Sequence, residues 1–103
     1  MKQTSPAFLL KADLMPLTVI KLNSSNIDQL QSAWQDTLAS APQYFTHAPV
    51  AIDASNLSSD DQLDIAALCD ALKSNKIIPV GIRGIQAAQH DSARQQGLAI
   101  LTN

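Results

Sequence analysis

From Ser25 to the end, the chain switches repeatedly between two spacings of apolar residues, and that alternation restricts the fold more than any other feature. Ile27, Leu30, Trp34, Leu38 and Ala41 recur at three- and four-residue steps, one stripe on a helix. A short apolar run, Val50-Ala51-Ile52-Asp53-Ala54, then reads as a strand. Ile65, Leu68, Cys69 and Leu72, widened by Ala66 and Ala67, form a second helical stripe, which Asn75 stops. Ile77 to Arg83 is the next strand, with Pro79 and Gly81 marking it as an edge or bulged. Gln86 to Gln96 reads as a polar helix closed by Gly97, before a last strand from Leu98 to Thr102. Strands separated by helices need crossover connections, so this part pairs in parallel. Three helices are few to cover both faces of a sheet, so they should gather mostly on one.

Two further runs precede this unit. Ala7 to Lys11 (AFLLK) and Leu17 to Leu22 (LTVIKL) read as strands joined by Ala12-Asp13-Leu14-Met15-Pro16, a connection short enough for a hairpin. A short hinge of this kind also permits exchange of the hairpin between two copies, giving a dimer. The expectation is one α/β domain over residues 1–103: a small mixed sheet of about five strands, opened by an antiparallel hairpin, continued in parallel and flanked by three helices. All nine acidic residues are Asp, a good helix cap. Ser25-Asn26-Ile27-Asp28 and Ser58-Ser59-Asp60-Asp61 are accordingly the expected helix starts.

Little in the chain points to catalysis. Cys69 sits on an aliphatic stripe, where burial raises a thiol's pKa and blunts it as a nucleophile. His47 stands in a loop, and His90 is followed by Asp91, which falls on a different helix face. One cysteine and two histidines cannot complete a four-ligand zinc site, and no cofactor motif is present. Gly81-Ile82-Arg83-Gly84 is neither a dinucleotide fingerprint nor a phosphate loop. Asp53, Ser55, Asn56, Arg83 and Gly84 follow strand ends, where ligands of α/β sheets sit, but they are also ordinary turn formers. Seven Lys/Arg against nine Asp, a net charge of −2 without a basic run, argue against nucleic-acid binding. No apolar run approaches the roughly 20 residues of a membrane span, so a cytoplasmic domain without direct membrane contact is expected. A binding role fits better. Tyr44 and Phe45 lie between Pro42 and Pro49, and a restrained loop aromatic is a common protein–protein anchor.

The run Ala41-Pro42-Gln43-Tyr44-Phe45-Thr46-His47-Ala48-Pro49-Val50, leading to Asp53, resembles the amino-terminal domain of the septum-site-determining MinC family. Leu10-Lys11, Leu17-Thr18-Val19, Pro79-Val80-Gly81-Ile82 and the ending Gly97 to Thr102 follow the same layout. The resemblance implies a non-enzymatic division inhibitor that binds FtsZ, the tubulin-like GTPase of the bacterial division ring, and restrains its assembly. It places Lys11 and Tyr44 on the FtsZ-facing surface, with Ala12 where relatives often carry Gly and Phe45 where an aliphatic is common. It also implies that MinD, the membrane-associated ATPase, is bound only by a carboxy-terminal domain absent from these residues.

Val50 to Asp61 is also similar to STAS domains, in which a strand ending in Asp precedes a phosphorylatable serine at a helix start. Ser58 or Ser59 would be that serine, in an anti-sigma-antagonist type of phospho-switch. Asp60 and Asp61 stand where the switch glycine is expected and would repel a phosphate, so the likeness implies shared STAS-like architecture and not shared regulation.

Overall fold

The computed structural model describes residues 7–40, 43, 46–58 and 60–102. Four strands, β1 (Thr18–Lys21), β2 (Pro49–Asp53), β3 (Ile78–Arg83) and β4 (Ala99–Ile100), lie in the order β1-β2-β3-β4, and every neighbouring pair is parallel. Between them run the helices α1 (Ile27–Ser40), α2 (Ile65–Ser74) and α3 (His90–Gln95), the last preceded by a 3-10 turn at Ala87–Gln89.

Register shows why the helices collect on one side. Ile20, Ile52, Ile82 and Ile100 are direct partners across all four strands, a row of β-branched side chains crossing the sheet. Ile52 and Ile82 are fully buried, and Ile20 and Ile100 pack on the core from its two ends. Leu68, Cys69 and Leu72 of α2 and Ala93 of α3 belong to the same core cluster. The neighbouring row, Val19, Ala51, Gly81 and Ala99, points to the other face and is made of smaller residues. A Cβ on Gly81 would come within 2.8 Å of the Leu101 side chain, so Leu101 covers that face where glycine leaves room.

Several expectations need correction. Residues 7–11 form no strand, so the described residues hold four strands and not five, and their sheet is wholly parallel and not mixed. β1 is an edge strand there, and residues 7–17 run on as an exposed arm. β3 is central, not an edge; its proline is accommodated by a bulge, since Val50 faces Pro79 while Ala51 faces Gly81, leaving Val80 extra. α2 starts at Ile65 and not near Ser58, because Asp64 Oδ1 accepts the Ala67 N–H at 3.0 Å. The start expected for α1 within Ser25–Asp28 holds: the helix runs from Ile27, and Asn26 Oδ1 accepts the Gln29 N–H at 3.0 Å. Trp34 is half-buried: no residue of α1 is fully buried, and its stripe rests on the core's margin.

The stop at Asn75 holds. Lys76 and Ile77 N–H donate back to Lys73 and Leu72 carbonyls, both at 3.0 Å, the double bond of a helix ending on a left-handed residue. Lys76, with φ of 62°, supplies that residue without being glycine. α3 ends the same way on Gly97, with φ of 81°.

Candidate functional site

The carboxyl ends of β2 and β3 bring together the polar residues singled out there. Asp53 and Arg83 are register partners, and their side chains form an ion pair at 3.0 Å. The Ser55 N–H donates to Asp53 Oδ1 at 2.9 Å. Hydrogen bonds from the Ser55 hydroxyl and N–H, with Arg83 adding to them against the opposing effect of burial, lower the Asp53 pKa from 3.8 to about 2. Gly84 follows with φ of 80°, and a Cβ there would meet the Ser55 backbone N at 2.5 Å, so only glycine fits the crossing. Asn56 Nδ2 donates to Asn23 Oδ1 at 3.1 Å and ties this turn to the one after β1. Asp53 and Arg83 satisfy each other, so this cluster is a structural clasp and not a prepared anion site.

Beside the clasp lies an open cavity of about 480 Å³, walled by Ser58, Asp61, Gln62, Gln86 and Gln89 over an apolar floor that includes Leu57 and Leu63. Ser58 is committed within its own turn: its N–H and hydroxyl both donate to Asp61 Oδ2, at 2.8 and 3.2 Å. The helix start that a phospho-switch needs is at Asp64, and Asp61 would repel a phosphate at Ser58. Ser59 lies outside the described residues. Cys69 is fully buried, and burial pushes its thiol pKa up, against a smaller opposing effect of Lys73. Among the described residues no group of three His, Cys or acidic side chains could hold a metal.

Of the four residues attributed to protein binding, two are described. Lys11 and Ala12 lie exposed on the arm, and among the described residues Lys11 has no ion pair. Tyr44 and Phe45 fall outside the described residues. The chain that follows them reaches His47, whose backbone is left-handed at φ of 62° and whose N–H donates to the Lys76 carbonyl at 2.6 Å. The turns preceding β2 and β3 are thereby stitched together. Lys76 gives no residue-type signal for its left-handed position, whereas His47 does, histidine being one of the types enriched there.

A model of the family described as "Septum formation inhibitor MinC, N-terminal domain" matches residues 8–79. The chain belongs to the MinC N-terminal domain family. It is 37% identical over 90 residues to the probable septum site-determining protein MinC of Shewanella amazonensis, covering 87% of this chain and 40% of that protein. The proteins of the same name from Shewanella loihica and Shewanella baltica are each 34% identical, over 96 and 98 residues. They cover 93% and 95% of this chain, and 43% and 44% of their own lengths. The chain thus spans less than half the length of these MinC relatives. Among the described residues no helix is long and apolar enough to cross a membrane.

Proposed function

We propose that this domain takes part in septum-site selection by binding FtsZ and restraining its assembly into filaments. The reading rests on one observation, the MinC family match over residues 8–79. The identity of 34–37% over most of the chain adds to it. The proposed contact surface is Lys11 and Ala12 on the arm together with Tyr44 and Phe45, which stand between Pro42 and Pro49 in the sequence. An exposed cation and a Pro-flanked aromatic pair suit a protein partner, the aromatic as anchor and the cation as a rim contact. MinD binding and membrane recruitment are assigned to a carboxy-terminal domain outside these residues, and the domain itself acts in the cytoplasm.

The domain acts by occupancy, without a cofactor. Sedimentation of FtsZ polymers with GTP tests this. Added domain should lower the pelleted fraction in proportion to its molar ratio and independently of incubation time. Inhibition by trace amounts that grows with time would refute a binding mechanism, and no effect at equimolar or higher ratios would refute the FtsZ reading.

A further inference from the structure

The proposed FtsZ contact makes no use of the cavity of about 480 Å³ beside the Asp53–Arg83 clasp. Its volume is that of a small-ligand pocket, roughly 300–1,000 Å³. It lies beyond the carboxyl ends of β2 and β3, between the connection 54–64 and the residues 84–86 that lead into the 3-10 turn. Strand-to-helix connections usually take about 2–6 residues. The connection 54–64 is longer, and its excess from Leu57 to Leu63 forms one whole wall.

We propose that this cavity binds an arginine side chain presented by an extended segment of a partner protein. Asp61 is the single charged residue among those lining it. Its Oδ2 already accepts the Ser58 N–H and hydroxyl, and its Oδ1 has no partner among the described residues. Arg83 is held by Asp53 in the clasp. Asp60 and Asp64 stand on the same connection as Asp61, which carries no Lys or Arg. The field there favours a cation and repels a phosphate or carboxylate. Leu57, Leu63 and Ile85 give an aliphatic stem a surface to lie along. A guanidinium suits these acceptors better than an ammonium, because its flat fork donates to several at once: Asp61 Oδ1 and the glutamine carbonyls.

The glutamines favour a peptide over a free cation. Gln62 belongs to one wall, Gln86 and Gln89 to the other. Gln89 Nε2 donates to the Leu63 carbonyl at 3.3 Å, which leaves its Oε1 as an acceptor. The side chains of Gln62 and Gln86 make no hydrogen bond among the described residues. A carboxamide offers an acceptor and two donors, the complement of a peptide unit. A lone guanidinium has no acceptor and leaves the amide donors idle, whereas the peptide units flanking an arginine engage both kinds of group.

The test is an NMR titration of the isotope-labelled 103-residue chain and does not depend on FtsZ. The tripeptide acetyl-Ala-Arg-Ala-amide should give saturable shifts at the side-chain amides of Gln62, Gln86 and Gln89 and at the backbone of Asp61. The same tripeptide with citrulline, which keeps the shape and loses the charge, should bind about fivefold more weakly, the scale of one solvent-accessible ion pair. Asp61→Asn should lose that factor for the arginine peptide and nothing for the citrulline peptide, since the Asn carbonyl still accepts from Ser58. Free arginine amide should bind more weakly than the tripeptide, and Gln86→Ala should narrow the difference. Signals of the core residues, unchanged in both variants, report that the fold is kept. Four results overturn the proposal: no saturable shift at the cavity, equal binding of the arginine and citrulline peptides, an Asp61→Asn variant that binds the arginine peptide undiminished, or free arginine amide binding as tightly as the tripeptide, which would make this a site for a free cation.

Discussion

Leu68→Ala tests the placement of α2 and therefore of the whole helix layer. Leu68 is fully buried midway along the helix, in one cluster with Val50, Ile52 and Ile82 of the sheet. The substitution removes three carbons, worth about 2.4 kcal/mol at roughly 0.8 kcal/mol each. The cavity left behind raises the loss to about 2.7–5 kcal/mol, since a site enclosed on all sides relaxes little. A domain of this size has about 5–15 kcal/mol in total, so the variant keeps its fold with a much reduced margin. Urea unfolding followed by the fluorescence of Trp34, the single tryptophan, reads the effect. With a slope of about 1.5 kcal/mol per molar, a 3 kcal/mol loss moves the midpoint down by about 2 M. Leu30→Ala on the half-buried stripe of α1 should lose roughly half as much. A Leu68→Ala loss below about 0.5 kcal/mol at unchanged slope would mean that α2 does not face the sheet.

Lys76→Gly should raise the melting temperature, gaining about 0.5–1 kcal/mol: relief of a left-handed non-glycine residue is worth about 1–2, and glycine's extra chain entropy takes back about 0.5–1. Asp53→Asn should flatten the acid limb of stability in melts between pH 2 and 5. The native carboxyl titrates near 2 and the unfolded one near 3.8, so its stabilisation is complete above about pH 4 and is lost as pH falls through 2. In the FtsZ sedimentation assay, Tyr44→Ala should weaken inhibition with little change in melting temperature, whereas Phe45→Ala should lower stability first. Lys11→Ala should weaken inhibition more at low salt than at high salt, because an exposed charge is screened within about 10 Å at 0.1 M. The reverse pattern for the two aromatics would exchange their roles, and no effect from any of the three in folded variants would remove the proposed surface.

What could be read from the residues alone was whatever depends on local spacing. The α2 stripe of Ile65, Leu68, Cys69 and Leu72 is buried as its period requires, and Asn75 and Gly97 mark the helix ends because left-handed caps are local chemistry. Helix, strand, helix and strand in succession force crossovers, so parallel pairing from β2 onward was legible as well. Competition between nearby groups was not. Ser58 and Asp61 satisfy each other in a turn, which leaves Asp64 to cap α2, and only coordinates rank such neighbours. Asp53 and Arg83 were each visible at a strand end, but their ion pair exists because a bulge at Val80 brings Asp53 into register with Arg83, thirty residues away. The arm shows the same limit: the apolar run at 7–11 reads as a strand, yet a strand exists only where a neighbouring edge hydrogen-bonds to it, and the described sheet holds no such pairing.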